Sequence, residues 1–322
     1  MPQPEPNPVR PLRGAIEAGG TKFVCALGYG PGEMLERVEI PTRDPAGTLP
    51  QVIRFFAARR DAGHEIASLG IASFGPLETD PAAARYGEIL ATPKPGWAGT
   101  NLRSALAESL RVPVVIDTDV NAAVLAEHRW GAGQGMIDLL YITVGTGIGV
   151  GALLGGSIYK GVQHPEMGHM RLPLNPGEPD GFAGCCPFHG ACAEGLASGA
   201  ALVQRWGCKL TELPADHPGW EMEADYLATF CSNLTFAFQP QRIILGGGVA
   251  NPGLLERIRH RLLERLGGYH SELKSADRLE AYVVAPGLGK NAGILGAIAI
   301  AQRTREVESG VLAGELERQS DA

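Results

Sequence analysis

The chain has 322 residues, a formal net charge of −7 and a 20% share of charged residues. Because ordinary domains have about 100–200 residues, this length predicts two lobes. The acidic balance gives no indication of a nucleic-acid partner. The polar, proline-rich N-terminus lacks the apolar core of a signal peptide, which predicts a cytoplasmic protein without a membrane partner.

Strands and helices are expected to alternate in the first part of the chain. Leu49, Val52, Ile53 and Phe56, for example, recur at helical spacing. The predicted strands are 13–18, 23–28, 34–40, 66–73 and 112–116, and the predicted helices are 46–60 and 119–130. Residues 92–97 contain two prolines and a glycine, which exclude regular structure there.

The second part of the chain repeats this pattern. Its predicted strands are 139–144, 148–154, 242–245 and 281–285, and its predicted helices are 194–206, 221–234, 252–266 and 291–303. A hairpin around a glycine-rich turn opens each half, which predicts a duplicated α/β unit with a cleft between the copies. We expect an N-terminal lobe (1–118, completed by helix 291–303), a C-terminal lobe (119–290) and a polar tail (304–322).

Three glycine-rich turns are candidates for phosphate binding, because backbone N–H groups without side chains can surround an anion. They are Gly19-Gly20-Thr21-Lys22, Gly145-Thr146-Gly147 and Gly246-Gly247-Gly248. The alternative reading is that hairpins use glycine for their twist alone. Residues 287–292 also resemble a dinucleotide fingerprint, but no second strand follows, so we set that interpretation aside.

A cluster of cysteine and histidine predicts a metal site. Cys186, His189 and Cys192 are spaced three residues apart, which suits tetrahedral Zn²⁺. His169 and His164 are the candidates for the fourth ligand. Four protein ligands would make the ion structural rather than catalytic. The alternative is a set of buried thiols.

Asp119 is the candidate for a general base, since it follows a predicted strand and opens a predicted helix. The alternative is a helix N-cap, a position at which Asp is common. Asp117 competes with Asp119 for either role.

Five segments of the chain resemble, in order, the motifs of the ROK sugar kinases. They are IEAGGTK (16–22), DTDVN (117–121), GTGIG (145–149), HPEMGH (164–169) and CPFHGACAE (186–194). The segment TPKPGW (92–97) and the Cys-x-x-His-x-x-Cys form of the metal loop resemble the zinc-containing bacterial fructokinase branch. Glu17 and Thr118 depart from this pattern, because many members have Asp and Asn there.

The resemblance implies an actin-like (ribonuclease-H-type) ATPase fold of two α/β lobes with a central cleft. It implies that ATP phosphorylates D-fructose at the 6-hydroxyl, with Asp119 as the base and with the turns at 19–22 and 145–147 as the two phosphate motifs. Mg²⁺ would accompany the ATP phosphates, and Glu17 is the candidate for positioning its hydrated form. The implied sugar-binding residues are Lys94, Asn121, Glu166, His169 and Glu194.

The resemblance also selects His169 as the fourth zinc ligand beside Cys186, His189 and Cys192, and it implies a homodimer. Two alternatives remain. The first is a kinase for another hexose, such as mannose or glucose. The second is a non-catalytic, sugar-sensing relative, which would carry a DNA-binding helix pair ahead of the fold.

Overall fold

The computed structural model describes residues 10–92 and 94–303. These residues form two compact units. The first contains the described residues up to Ala122 and from Gly293 onward, and the second runs from Ala123 to Ala292. The sequence placed the corresponding boundaries at 118/119 and 290/291, and the predicted tail over 304–322 lies outside the described residues.

The first unit is built on a five-stranded mixed sheet in the order β3-β2-β1-β4-β5. Strands β1 and β2 form an antiparallel hairpin, whereas β4 and β5 run parallel to β1. The strands are β1 (Leu12–Ala18), β2 (Lys22–Gly28), β3 (Met34–Pro41), β4 (Ile66–Ser73) and β5 (Val114–Thr118). The helices are α1 (Pro45–Asp61), α2 (Leu102–Leu110), α3 (Asp119–Trp130, which continues into the second unit) and α9 (Ala292–Ala301).

The central strands of this sheet are apolar because both of their faces are covered. Ile16, Phe23 and Ile71 have no exposed surface. Gly70 on β4 lies against the backbone of α9, where any side chain would overlap the Ala297 carbonyl. Helix α9 therefore packs closely on the sheet. A strand covered on both faces is expected to be apolar along most of its length, as β4 is.

The second unit repeats the arrangement with a sheet in the order β10-β9-β6-β7-β8. Strands β6 and β7 form a hairpin, and β9 runs parallel to β6. The strands are β6 (Leu139–Val144), β7 (Ile148–Leu154), β8 (Ser157–Ile158), β9 (Arg242–Gly246) and β10 (Val283–Val284). The helices are α4 (Ala193–Ala197), α5 (Gly199–Trp206), α6 (Gly219–Phe238), α7 (Pro252–Leu266) and α8 (Ala276–Tyr282).

The predicted elements differ from the structure at several places. The helix expected over 194–206 is two helices, because Ser198 is extended and its hydroxyl accepts the Ala201 N–H to start α5. Strand β5 begins at Val114 rather than 112, directly after Pro113. Helices α2 and α8 and strand β8 were not predicted. The strand expected over 281–285 is only β10, because α8 extends to Tyr282. Among the described residues, no helix is both long and apolar enough to cross a membrane.

Candidate active site

The first glycine-rich turn joins β1 and β2 and lies beside Lys94. The Gly19 N–H donates to the Lys22 carbonyl at 3.0 Å, and the Thr42 hydroxyl donates to the Gly19 carbonyl at 2.7 Å. A side chain at Gly20 would overlap the Lys94 ammonium. The structure therefore brings a predicted sugar-binding residue against the backbone of a predicted nucleotide-binding turn.

Lys94 is half-buried, with its ammonium 4.7 Å from the centre of the Phe74 ring. Burial lowers the pKa of Lys94, and the nearby charge of Asp119 opposes this shift. Trp97, three residues later, is 1% exposed and donates its indole N–H to the Arg43 carbonyl at 2.7 Å. Trp97 is thus a core residue, and Lys94 is the member of its segment that faces the first turn.

Lys22 extends along the sheet surface. Its ammonium donates to Glu39 Oε1 on β3 at 2.7 Å, and both side chains are about half exposed. This hydrogen bond holds the pKa of Glu39 below its usual value. The cation of the turn therefore already has an anionic partner on the neighbouring strand.

Asp119 opens helix α3 but does not supply its capping bond. The Asn121 N–H donates to Thr118 Oγ1 at 3.2 Å, so the hydroxyl of Thr118 takes the N-cap position. The Asp119 carboxylate instead accepts the N–H of its neighbour Val120 at 2.9 Å. Asp119 is also less buried than Asp117, which is 6% exposed.

Asp117 orients Asn121. Its carboxylate accepts the Asn121 side-chain amide at 2.8 Å and the Thr118 N–H at 2.8 Å. Asn121 is 1% exposed, so its amide is fixed inside the first unit. Asp117 thus has a positioning role in this segment, beside the base candidate Asp119.

Glu17 on β1 lies near both Asp119 and the start of α9. A side chain at Gly293 would overlap the Glu17 carboxylate, so the two groups are in close contact. Burial raises the pKa of Glu17 to about 7, and the negative charge of Asp119 adds to the shift. Two carboxylates that repel each other in this way would gain from a nearby cation, so the residues fit the predicted role of Glu17 beside hydrated Mg²⁺.

The second glycine-rich turn lies against Glu194. The Gly145 N–H donates to the Gly147 carbonyl at 2.9 Å, and the Gly199 N–H, at the start of α5, donates to the Gly145 carbonyl at 2.7 Å. Glu194 Oε2 accepts the Ile148 N–H at 3.0 Å. A side chain at Gly147 would overlap this carboxylate in its present position, so the glycine lets Glu194 lie directly against the turn.

The segment that carries Glu166 and His169 packs on the same hairpin. A side chain at Gly168 would overlap the Ile148 carbonyl on β7. The His169 N–H donates to the Glu166 carbonyl at 3.0 Å in a short 3₁₀ turn, and Glu166 is exposed. In the second unit, the structure therefore places Glu194 against Gly147 and packs the segment that carries Glu166 and His169 on the adjacent Ile148.

The third glycine run begins with the last residue of β9. The surroundings differ among its three glycines. A side chain at Gly246 would meet the Tyr141 hydroxyl at 2.5 Å. Gly247 has a φ of +97°, and a side chain there would overlap the backbone of Val144. A side chain at Gly248 would meet no atom within 4 Å. Packing thus explains Gly246 and Gly247, whereas Gly248 remains the candidate for contact with a nucleotide.

The four predicted metal ligands come together. One donor atom from each of His169, Cys186, His189 and Cys192 lies within 4.8 Å of the others. Cys186 Sγ is 3.7 Å from Nδ1 of both histidines, and Cys192 Sγ is 3.6 Å from His169 Nδ1. With Zn–S of about 2.3 Å and Zn–N of about 2.0–2.1 Å, a tetrahedral site has S···N edges of about 3.6 Å. The donor set therefore fits Zn²⁺.

Cys192 connects this cluster to Glu194. Its sulfur accepts the Gly195 N–H at 3.3 Å and caps helix α4, which carries Glu194 in its first turn. Burial raises the pKa of Cys192 to about 11, so a metal ion would have to displace its proton on binding. A metal ion at the cluster would fix the start of the helix that places Glu194 against the second turn.

Two further buried charged residues lie in the second unit and were not predicted from the sequence. Glu127 on α3 accepts N–H groups from Ala132, Gly287 and Leu288, and it has no exposed surface. Arg205 on α5 pairs with Glu178. Their signal in the sequence was a charged residue within an apolar helical segment, but Gly287, Leu288 and Glu178 are far from them in sequence.

Known proteins resemble this chain over most of its length. The ROK family model matches residues 13–304. A putative fructokinase from Bacillus subtilis is 39% identical over 92% of this chain and 98% of its own length. A fructokinase from Zymomonas mobilis is 44% identical over 90% of this chain and 96% of its own.

A solved structure of a ROK hexokinase from Thermus thermophilus has a TM-score of 0.70 and 29% identity, and the match covers 93% of this chain and 100% of that one. These findings confirm the predicted mixed α/β, actin-like ATPase fold and the resemblance on which it rested. The two sheets, each with a hairpin and a parallel strand beside it, agree with that fold. The chain belongs to the ROK family.

Proposed function

We propose that this chain catalyses transfer of the γ-phosphoryl group of ATP to the 6-hydroxyl of D-fructose, giving fructose 6-phosphate and ADP. The observation that carries the proposal is its similarity to fructokinases, which are 39–44% identical over at least 90% of the chain. Two groups of residues support the proposal by their chemistry. One lies in the first unit and includes Glu17, Lys94 and Asp119; the other lies in the second unit and includes Glu194 and the four predicted metal ligands.

Asp119 is the proposed base. Phosphoryl transfer requires little covalent chemistry from the protein beyond a group that accepts the hydroxyl proton. Capping by Thr118 supports this role, since the N-cap bond of helix α3 does not depend on the Asp119 carboxylate. The proton of the 6-hydroxyl would pass to the Asp119 carboxylate as the oxygen attacks phosphorus.

The glycine-rich turns are the proposed phosphate-binding elements, with residues 19–22, 145–147 and Gly248 as their members. Their role is to present backbone N–H groups to phosphate oxygens. Mg²⁺, when bound with ATP, neutralises charge on the phosphates, and Glu17 is the proposed carboxylate beside it. The closeness of Glu17 to Asp119 supports an arrangement in which a cation relieves their repulsion.

Lys94, Asn121, Glu166, His169 and Glu194 are the proposed sugar-binding residues. Carboxylates accept hydrogen bonds from sugar hydroxyls, and an ammonium or amide donates to them. Zn²⁺ held by His169, Cys186, His189 and Cys192 would be structural. The ion would hold Cys192 in place, and Cys192 caps helix α4, which carries Glu194.

We further propose a cytoplasmic homodimer that binds no nucleic acid; the dimer is expected from the family resemblance, and the lack of a nucleic-acid partner from the acidic balance of charge. Sedimentation at several protein concentrations tests the dimer. A monomer throughout would overturn it.

The choice of fructose is tested by a substrate panel. ADP release is measured with fructose, mannose and glucose at matched concentrations, and the phosphorylated position is assigned by NMR. We expect the highest kcat/KM with fructose and phosphate on its 6-hydroxyl. A higher kcat/KM with mannose or glucose would establish the alternative hexose kinase, and no ADP release with any hexose would overturn the kinase assignment.

A further inference from the structure

Arg205 is a buried cation outside the clusters described above. Its side chain has 0% exposure. Nε and Nη2 donate to the two carboxylate oxygens of Glu178, each at 2.9 Å. Nη2 also donates to the Leu196 carbonyl of helix α4 at 2.6 Å. One guanidinium group therefore holds two segments that are eighteen residues apart in the chain.

Glu178 and Leu196 are the two ends of the segment that carries the metal ligands from the 186–192 loop and Glu194. Two further contacts hold the first end of this segment in place. The Tyr226 hydroxyl of α6 donates to Glu178 Oε1 at 2.5 Å, and the guanidinium lies 4.3 Å from the centre of the Phe182 ring. Residues 178–196 thus form a loop that is closed at its base by Arg205, and three of the four predicted metal ligands (Cys186, His189 and Cys192) lie between its ends.

The position of Leu196 connects the closed base of this loop with Glu194, a predicted sugar-binding residue. Leu196 lies two residues after Glu194 on the same short helix, and the Glu194 carboxylate accepts the Ile148 N–H at the second turn. A displacement of helix α4 would therefore move that carboxylate. Bidentate pairing matters here because the planar guanidinium fixes direction as well as distance, which an ammonium cannot do.

Glu223 on α6 provides a contrast within the same buried region. It has no exposed surface, and neither of its carboxylate oxygens has a hydrogen-bond partner among the described residues. Burial raises the pKa of Glu223 well above its usual value, although the charge of Arg205 opposes the shift. Glu178, and not Glu223, is therefore the carboxylate that pairs with Arg205.

We propose that Arg205 is a positioning residue that sets the place of Glu194, because it joins the two ends of segment 178–196 independently of the metal ion in the middle. This inference rests on the proposed function only for its kinetic test. Arg205 would thus hold helix α4 through the Leu196 carbonyl, in addition to the cap that Cys192 provides at the start of this helix.

Three single variants separate this role from a general loss of packing. Arg205→Lys keeps the charge but loses the bidentate geometry, and Glu178→Gln removes the anion. Both should raise the KM for the accepted hexose about 10- to 100-fold, since small misplacements in a site have effects of this size. Both should keep the zinc content of the wild type. The matched control Glu223→Gln should leave KM, kcat and zinc content unchanged.

A double-mutant cycle with Glu194→Gln then decides whether Arg205 acts through Glu194. If it does, Arg205→Lys has no further effect on the hexose KM once Glu194 is replaced. Effects that multiply in the double variant would show a structural role without coupling and would overturn the proposal. So would an unchanged KM in Arg205→Lys, or loss of its zinc.

Hydrogen exchange supplies a readout that needs no activity. In Arg205→Lys, amides of residues 178–185 and 195–198 should exchange faster than in the wild type, while zinc content stays the same. If the wild type phosphorylates no hexose, the proposed function fails, and exchange still decides the inference. Unchanged exchange in these residues would overturn it.

Discussion

The Thr118 hydroxyl accepts the Asn121 N–H at 3.2 Å, and this bond places the cap of helix α3 one residue before Asp119. A capping role and a catalytic role for Asp119 predict different results for Asp119→Asn, because Asn caps helices as well as Asp does. We expect Asp119→Asn to fold normally and to lose turnover about 10²- to 10⁴-fold, the range for removal of a general base. Steady-state ADP release and thermal unfolding measure the two effects.

Thr118→Ala is the matched control for this prediction. Loss of the cap should lower the free energy of unfolding by about 1 kcal/mol. Turnover should fall far less than in Asp119→Asn. Near-normal turnover of Asp119→Asn would show that Asp119 is not the base.

Alanine substitutions in the glycine runs separate nucleotide binding from folding. Side chains at Gly145 and Gly248 would meet no protein atom within 4 Å. We therefore expect Gly145→Ala and Gly248→Ala to unfold at the wild-type temperature but to raise the KM for ATP, because the added methyl group occupies space offered to phosphates. KM values for ATP and hexose, measured together, test this expectation.

Gly247→Ala is the contrasting variant. Its φ of +97° and the overlap with Val144 predict a loss of about 2 kcal/mol or more in the free energy of unfolding. An unchanged KM for ATP in both Gly145→Ala and Gly248→Ala would mean that these turns serve the hairpin and strand geometry alone.

The parts of the site that could be predicted are those whose residues are close in sequence. The spacing of Cys186, His189 and Cys192 predicted a cluster that the structure confirms, and the two hairpins were placed nearly correctly. Lys94 was assigned to the sugar through the resemblance, but its contact with Gly20 could not be foreseen, because 74 residues separate them. Long-range contacts depend on how the elements pack, which local periodicity does not encode.

Buried charged residues were the least predictable feature. Glu127 lies 160 residues from Gly287, whose N–H it accepts at 3.0 Å. Charged residues are almost never fully buried unless they are paired, so an exposed helix position was the default expectation for Glu127. For the same reason, Arg205 was expected to be exposed. For both residues, the reason for burial is a set of partners brought together only by the fold.

Removal of a metal ligand should remove zinc and weaken sugar binding together. We expect Cys186→Ser to lose zinc affinity by at least about 10-fold and to raise the hexose KM, because the cluster positions the start of α4. Elemental analysis and steady-state kinetics measure the two effects. Cys185→Ser is the matched control, since Cys185 is adjacent but outside the cluster. Full zinc content in Cys186→Ser would contradict the assigned ligand set.

Glu127 should contribute to stability through its backbone partners. Its Oε2 accepts N–H groups from Ala132 and Gly287, and its Oε1 accepts the Leu288 N–H. In Glu127→Gln the side-chain amide would face at least one of these donors, so we expect a loss of about 2–3 kcal/mol in urea unfolding. Glu108→Gln, at an exposed position of α2, should change stability by less than about 0.5 kcal/mol. Equal effects of the two variants would refute this role of Glu127.

The raised pKa of Glu17 predicts a pH-dependent stability for the protein without ligand. Burial, followed by the charge of Asp119, raises this pKa from its ordinary 4.5 to about 7. A carboxyl with a raised pKa in the folded state stabilises that state below pH 4.5, and this contribution is lost as the pH rises to about 7. Relative to the wild type, Glu17→Gln should therefore gain up to about 3 kcal/mol of unfolding free energy between pH 5 and 8.

Urea unfolding of both proteins across this range measures the effect of Glu17. Glu221→Gln on α6 is the control, because Glu221 is not among the charges that act on Glu17. Burial raises the pKa of Glu221, but hydrogen bonds from Arg261 and Arg257 outweigh this effect and lower the pKa below its ordinary 4.5. The difference between Glu221→Gln and the wild type should thus stay constant from pH 5 to 8. A constant difference for Glu17→Gln as well would mean that Glu17 is already ionised at pH 5. The electrostatic argument for a cation beside Glu17 and Asp119 would then lose its basis.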